Sequence, residues 1–317
     1  MDTKDMDPKF EKYLKEVKLK QKSAFSVPDI EKARILADEI TSSEISKPEK
    51  VFDLKDIVIR GHRSDITLRL YKPERKPPLP ILLFFHGGGW VFGNLKNYES
   101  FCTQIVNLSS SAVVSVAYGL APEHKFPEPV EDCYSALMWI LENGDKYGLD
   151  PSRLIICGDS AGGNISAAIT LMARDRGILS IGHQVLIYPA VDLSSFNYES
   201  FKLFGTGNLL DTKDMPLAIE RYLNSKDECL DPYVSPILAK DFSNLPPAYV
   251  ITAGYDVLRD EGHAYALKLV KAGVPVAIRC YKEFMHGFFT MDAISDAVRP
   301  AIVETAEFLK KVFNEMV

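Results

Sequence analysis

Leu154-Ile155-Ile156-Cys157-Gly158-Asp159-Ser160-Ala161-Gly162-Gly163-Asn164 is the stretch on which the fold turns. An apolar run of strand length enters a serine flanked by glycines, and a helix-prone segment, 164–173, leaves it. Gly158-Asp159-Ser160-Ala161-Gly162 has the form G-x-S-x-G. Those five letters alone also describe a serine that caps a helix after a glycine turn. The strand before and the helix after separate the two readings. A strand-to-helix turn this sharp strains its central residue and holds the hydroxyl exposed above a sheet. Small residues at 158 and 162 let the two backbones approach, and the helix N-terminus beside Ser160 favours negative charge there.

Working outward, apolar runs of strand length alternate with helical stretches. The runs are 81–85, 112–117, 154–157, 184–188, 248–253 and 276–281. The helical stretches are 97–108, 129–142, 161–173, 260–271 and 297–317. Continuous apolar strands alternating with helices predict a mostly parallel sheet covered on both faces. Ahead of them, Ile57 and Ile59, then Ile66, Leu68 and Leu70, alternate around a turn at 61–64 and predict a hairpin. The expected fold is therefore α/β, with a mostly parallel sheet of about eight strands flanked by helices.

Two regions depart from that rhythm. Phe10, Tyr13, Leu14 and Val17 recur at helical spacing, as do Ile30, Ala33, Ala37 and Ile40 after Pro28. Both helices precede any strand. Between residues 192 and 245 no strand pattern occurs, while 200–203 and 215–223 read as helices. A connection this long in a compact domain needs a purpose, and a lid is a common one. The expected organisation is N-terminal helices over 1–50 contributing to a helical cap, a cap insertion over 192–245, and a catalytic core over 51–191 and 246–317.

His86-Gly87-Gly88-Gly89-Trp90 follows the strand at 81–85. Glycines aim successive backbone N–H groups without a side chain in the way. Such donors stabilise an oxyanion, each by about 2.7–4 kcal/mol in characterised hydrolases. In lipases and esterases an HGGG loop acts with the amide of the residue after the nucleophile, which here is Ala161. A phosphate loop is excluded, because no Gly-Lys-Ser/Thr follows. His86 reads as an anchor of this loop and not as a base.

The general base must follow the nucleophile in chain order in this architecture. His183, His263 and His286 do so. His183 borders a strand start and His263 sits in a helical pattern. His286 lies just past the last strand, in a loop with Gly287, where sites of such folds form. For the acid, Asp256 follows the strand at 248–253 and is preferred. Asp260 is its rival, but a first-turn position in the next helix explains it without catalysis.

Composition narrows the classes further. The chain has 317 residues, 46% apolar and 25% charged, which is ordinary for a globular protein. Its net charge of −6, with Lys and Arg scattered, predicts no nucleic-acid partner. Residues 1–22 are charged throughout, without the apolar centre of a secretory leader, and no run of about 20 apolar residues predicts a membrane span. The five cysteines, Cys102, Cys133, Cys157, Cys229 and Cys280, form no CxxC pair and read as reduced, mostly buried thiols of a cytoplasmic protein. No HExxH and no paired histidines occur, so neither metal nor other cofactor is expected.

Together these residues resemble the hormone-sensitive-lipase-like carboxylesterases of the α/β-hydrolase superfamily. The matching pieces are His86-Gly87-Gly88-Gly89-Trp90, Tyr118-Gly119-Leu120-Ala121-Pro122-Glu123, Gly158 to Asn164, Asp256-Val257-Leu258-Arg259-Asp260-Glu261-Gly262 and His286-Gly287-Phe288. They run in family order from about residue 80 to 290. The resemblance implies an eight-stranded α/β-hydrolase fold with a helical cap, and hydrolysis of short-to-medium acyl esters of small molecules. It implies a triad of Ser160, Asp256 and His286, oxyanion donors at the amides of Gly88, Gly89 and Ala161, and a homodimer as a common assembly. Two positions depart from the family pattern. Gly119 stands where an Arg is usual, and Glu283 where a Gly usually precedes the catalytic His by three.

Trp90, Phe92, Phe196, Tyr198, Phe201 and Phe204 are available to line an apolar acyl pocket or simply to pack the cap. Two other functions fit the same scaffold. One is an amide or formamide hydrolase of the arylformamidase kind, using the same triad. The other is a non-catalytic binding protein, against which the retained His286 and Gly287 argue.

Overall fold

In the computed structural model, which describes residues 5–18 and 23–316, eight strands form one sheet. The strands are β1 (Asp53–Arg60), β2 (Asp65–Lys72), β3 (Leu79–Phe85), β4 (Ala112–Ala117), β5 (Leu149–Asp159), β6 (Ile181–Ile187), β7 (Ala248–Tyr255) and β8 (Val276–Met285). The helices are α1 (Pro8–Lys18), α2 (Ile30–Glu44), α3 (Glu99–Ser109), α4 (Glu128–Asn143), α5 (Ala161–Asp175), α6 (Glu199–Phe204), α7 (Asp214–Tyr222), α8 (Arg259–Lys271) and α9 (Val298–Glu315). Every strand and helix expected from periodicity is present; the expected first domain also contains residues 1–4 and 19–22, which lie outside the described residues.

The strand order is β1-β2-β4-β3-β5-β6-β7-β8. β1 pairs antiparallel with β2, and β2 antiparallel with β4; every other pair is parallel. From β3 the chain moves one way to β4 and then crosses to β5 on the other side. Such a reversal opens a crevice at the carboxyl ends of the two diverging strands. The glycine loop leaves β3 and Ser160 leaves β5, so both emerge at that crevice.

Alternation along β3 shows how the sheet is buried on both faces. Ile81, Leu83 and Phe85 join α4 and α5 in one core, through Leu137 and Ile165 among others. Leu82 and Phe84 join α3 and α9 in a second core, through Ile105 and Ile302. A third cluster packs α8 against β6, β7 and α5 through Tyr265, Leu269 and Leu171. With all seven β3 residues buried, the strand reads as a continuous apolar run and not as an alternation.

α1 docks on the second core through Phe10, Tyr13 and Leu14, with Phe10 edge-on to Phe284 at 5.5 Å. From 192 to 245 there is no strand among the described residues, only α6, α7 and short 3-10 turns. Among the described residues no helix is long and apolar enough to cross a membrane. All five cysteines are free; Cys102, Cys133 and Cys157 are buried, while Cys229 and Cys280 are half-buried.

Candidate active site

Ser160 sits at the turn between β5 and α5 with φ +53° and ψ −117°. A non-glycine residue with positive φ is held there only when its surroundings over-determine it. They do. The Ser160 N–H donates to Ile187 O at 2.8 Å, and Ser160 O accepts from Asn164 N at 3.0 Å and Ala190 N at 3.3 Å. The glycines of the turn are required by contact distance. A Cβ on Gly162 would lie 1.9 Å from Phe85 O, and one on Gly158 would lie 2.2 Å from Gly162 O.

The structure brings Ser160, His286 and Asp256 together. Ser160 Oγ lies 2.9 Å from His286 Nε2, and His286 Nδ1 lies 2.8 Å from Asp256 Oδ2. Asp256 is fully buried beyond the end of β7, where its Oδ1 also accepts the Leu258 N–H at 2.9 Å. An ionised carboxylate only accepts hydrogen bonds, so the imidazole proton belongs on Nδ1 and Nε2 is left to accept from the serine hydroxyl. This is the arrangement in which a histidine can draw a proton from a serine.

Asp260 is placed elsewhere. Its Oδ2 accepts the Ser200 N–H at 2.8 Å, and its Oδ1 receives Arg259 Nε at 2.8 Å. It therefore pins the start of α6 to α8.

Gly88 and Gly89 turn the loop after β3 with φ of +110° and +61°. Gly88 O accepts Phe92 N at 2.9 Å, while among the described residues neither the Gly88 nor the Gly89 N–H donates to a protein acceptor. With Ala161, the first residue of α5, these amides border the cavity that Ser160 also borders. His86 anchors the loop as expected. Its ring is buried between Tyr98 and Tyr118, with centroids at 5.5 and 4.4 Å, and its Nδ1 lies 2.8 Å from Gly87 O. Burial holds its pKa down at about 4, so it remains neutral in ordinary buffers.

Three residues of the site were not singled out from the sequence. Asp159 Oδ1 accepts the Gly87 N–H at 2.7 Å, and its Oδ2 accepts the Tyr98 hydroxyl at 3.1 Å. Burial pushes its pKa up to about 6, against the pull of those donors. Tyr188, just past β6, has φ +34°, and its ring packs on His286 with centroids 4.8 Å apart. Glu261, fully buried in α8, accepts the Val191 and Asp192 N–H groups at 2.7 and 3.2 Å. Signals for the first two existed. Asp159 is a charged residue between an apolar strand and a glycine-flanked serine, and Tyr188 ends an apolar strand at the active edge.

A cavity of about 420 Å³ extends from Ser160 and His286. Its wall takes Ala24, Phe25, Ala37 and Ile40 from the N-terminal region, and Leu209, Leu210, Met215 and Ala218 from the 192–245 segment. Of the six aromatics considered as acyl-pocket candidates, Trp90 and Phe92 line this cavity. Phe196, Tyr198, Phe201 and Phe204 do not. They pack on one another and on Tyr255, as in the Phe196–Phe201 pair at 5.4 Å and the Phe204–Tyr255 pair at 5.6 Å. Phe25 supplies the missing aromatic and packs against Phe92, with ring centroids 4.8 Å apart and planes tilted by 55°.

The two unusual positions leave the catalytic groups in place. At Gly119 the N–H donates to Asp132 Oδ2 at 3.0 Å, and His62 N donates to Oδ1 at 2.8 Å. The buried Asp132 is thus held by backbone donors, and burial raises its pKa. Glu283 lies within β8 with its side chain exposed, while its carbonyl accepts Asp7 N. Among the described residues there is no cluster of three or more His, Cys, Asp or Glu side chains able to hold a metal ion.

Comparisons with known proteins place the chain among α/β hydrolases. Residues 82–290 match the family described as alpha/beta hydrolase fold. The carboxylic ester hydrolase LipN of Mycobacterium tuberculosis is 39% identical over 250 residues, which are 77% of this chain and 66% of that protein. An arylesterase of Saccharolobus solfataricus is 33% identical over 92% of this chain and 93% of its own. Among solved structures, an ester hydrolase from the metagenome of Lake Arreo, complexed with a derivative of bipyridine phosphonate, has a TM-score of 0.93 at 35% identity. It covers 98% of this chain and 99% of that one.

Proposed function

The chain belongs to the hormone-sensitive-lipase-like branch of the α/β-hydrolase family, and from that premise we propose that it is a serine carboxylesterase acting through Ser160, His286 and Asp256. The observation that carries this reading is the unbroken chain of hydrogen bonds from Ser160 Oγ through both imidazole nitrogens to a buried carboxyl.

The chemistry follows from the geometry. His286 Nε2 takes the Ser160 proton as Oγ attacks the ester carbonyl. Negative charge develops on the carbonyl oxygen, and the N–H groups of Gly88, Gly89 and Ala161 receive it. His286 returns its proton to the departing alcohol, leaving an acyl-enzyme. Water, activated by the same imidazole, releases the acid. Asp256 fixes the tautomer and stabilises the imidazolium formed in each half-reaction.

Residues 1–50 and 192–245 serve as a cap over the core of 51–191 and 246–317. Side chains from both cap pieces stand in the cavity wall, which supports that division. A cap there limits how long a substrate limb can be and holds bulk water off the reacting centre. The preferred substrates are short-to-medium acyl esters. A series of p-nitrophenyl esters tests this. The specificity constant kcat/KM is expected to peak at a short or medium acyl chain and to fall for long ones. A continuous rise with length, or faster cleavage of the matched aryl amide, overturns it.

A further inference from the structure

Glu123 closes the 118–123 segment, which supplies no catalytic group, and it grips a residue of the N-terminal helices. Its Oε1 and Oε2 accept Arg34 Nη1 and Nη2 of α2 at 2.9 and 2.6 Å. That two-pronged pair fixes the plane of the guanidinium and so aims its remaining donors. Arg34 Nη2 also donates to Ala121 O at 3.0 Å, and Arg34 Nε donates to Val91 O at 3.1 Å. One turn further along α2, Asp38 Oδ1 accepts Asn94 Nδ2 at 3.0 Å. Residues four apart share a helix face, so α2 holds the loop after β3 at both Val91 and Asn94.

The Val91 contact leads back to the glycine loop. Val91 is fully buried, and among the described residues no backbone N–H donates to its carbonyl, so Arg34 supplies the donor that a buried carbonyl needs. Val91 O and the Phe92 N–H belong to one peptide plane. Phe92 N donates to Gly88 O at 2.9 Å. Gly88 O in turn shares its plane with the Gly89 N–H, one of the amides assigned to the oxyanion. A second arm reaches the same carbonyl. Ala121 N donates to Trp90 O at 2.9 Å, and Val91 N, in the plane of Trp90 O, donates to Gly88 O at 3.2 Å. Hydrogen bonds therefore run from the guanidinium through two successive peptide planes to the Gly89 amide. Each bond in such a chain polarises the next, and a cation at its head strengthens the donor at its tail.

We propose that Arg34 is a positioning residue for the oxyanion site: it orients and polarises the peptide that presents the Gly89 N–H, so that docking of α2 completes the catalytic apparatus. This rests on the reading of Ser160 and the glycine loop as an esterase site. A helix that merely covers the cavity acts on substrate binding. Arg34 instead acts on the charge that develops in the transition state, and so on turnover. Glu123 is the anchor that keeps the guanidinium in place.

The experiment compares the wild type with Arg34→Met, Arg34→Lys and Glu123→Gln on p-nitrophenyl butyrate. Rates are taken per active site titrated with an aryl organophosphate, and folding is followed by Tm. A trifluoromethyl ketone with the same acyl chain, whose serine adduct carries an oxyanion, gives a second readout. Arg34→Met is expected to lower kcat and kcat/KM alike, with KM little changed. The loss is about tenfold or more, but below the ~10²–10³ that follows removal of an oxyanion donor outright. Affinity for the ketone falls by about the same factor. Arg34→Lys keeps a cationic donor without the planar fork and lies between Arg34→Met and the wild type. Glu123→Gln retains the Val91 contact, loosens its anchor, and loses less than Arg34→Met. If Arg34→Met does not fold, the joint fall of kcat and ketone affinity in Arg34→Lys decides. A rise confined to KM, an unchanged kcat, or a fall in kcat with ketone affinity intact overturns the proposal. Failure of the wild type to cleave any ester sinks the esterase reading instead.

Discussion

Asp159, the residue before Ser160, accepts the Gly87 N–H at 2.7 Å and so ties the β5 turn to the glycine loop that follows β3. Two strands therefore hold the Ser160 hydroxyl and the loop of Gly88 and Gly89 in one hydrogen-bonded unit. Asp159 itself is a positioning residue, since its carboxylate acts on the glycine loop through the Gly87 N–H and is held by the Tyr98 hydroxyl. Asp159→Asn keeps an acceptor for Gly87 but weakens the charged bond. Turnover is expected to fall on the order of tenfold or more with little change in KM, because a misplaced oxyanion donor acts in the transition state. A change confined to KM contradicts this role.

Asp256 and Asp260 separate by partner. Asp256 meets His286, whereas Asp260 meets Ser200 and Arg259. Asp256→Asn is expected to lower kcat by about 10⁴, as tautomer loss does in other triads. Asp260→Asn leaves most turnover and lowers thermal stability by loosening α6. Parallel kcat and melting measurements on the two variants check this, and the reverse order of damage contradicts it.

Gly162 tests the geometry of the turn. A Cβ there meets two backbone carbonyls, Phe85 O at 1.9 Å and His86 O at 2.6 Å. Backbone must move to accept it, so Gly162→Ala is expected to cost about 3 kcal/mol or more of stability. Denaturant unfolding measures the loss. A variant as stable as the wild type would show that this approach is looser than described.

Glu44 gives the fold a pH dependence. It is buried at the end of α2 and takes the Tyr13 hydroxyl of α1. Burial, opposed by that hydroxyl, raises its pKa from 4.5 to about 7. A carboxyl whose folded pKa is raised binds its proton more tightly in the native state. Its contribution is full below about 4.5 and is lost as pH rises through about 7. Glu44→Gln removes that loss. The variant is expected to gain Tm relative to the wild type as pH rises from about 5 to about 8. Parallel Tm profiles contradict the assignment.

Much of this was legible in the residue order, for identifiable reasons. β3, β4, β7 and residues 154–157 of β5 are buried on both faces, so each is a largely apolar run that periodicity detects. Ser160, His286 and Asp256 each follow a strand, and topology alone carries strand ends to one edge. The positioning contacts were not legible. Asp159 and Gly87 are 72 residues apart, and G-x-S-x-G leaves residue 159 unspecified. The cap aromatics were ambiguous because Phe196 and Phe201 have the same character as Phe25. Which of them faces the cavity depends on docking, which no local pattern encodes.

The most direct test of the central claim is titration with an aryl organophosphate followed by mass spectrometry of the modified peptide. The account predicts one phosphoryl group per active chain, bound to Ser160, with activity lost in proportion and no residual turnover in a folded Ser160→Ala variant. Labelling at another residue, or an unlabelled Ser160 in a fully inhibited enzyme, contradicts it.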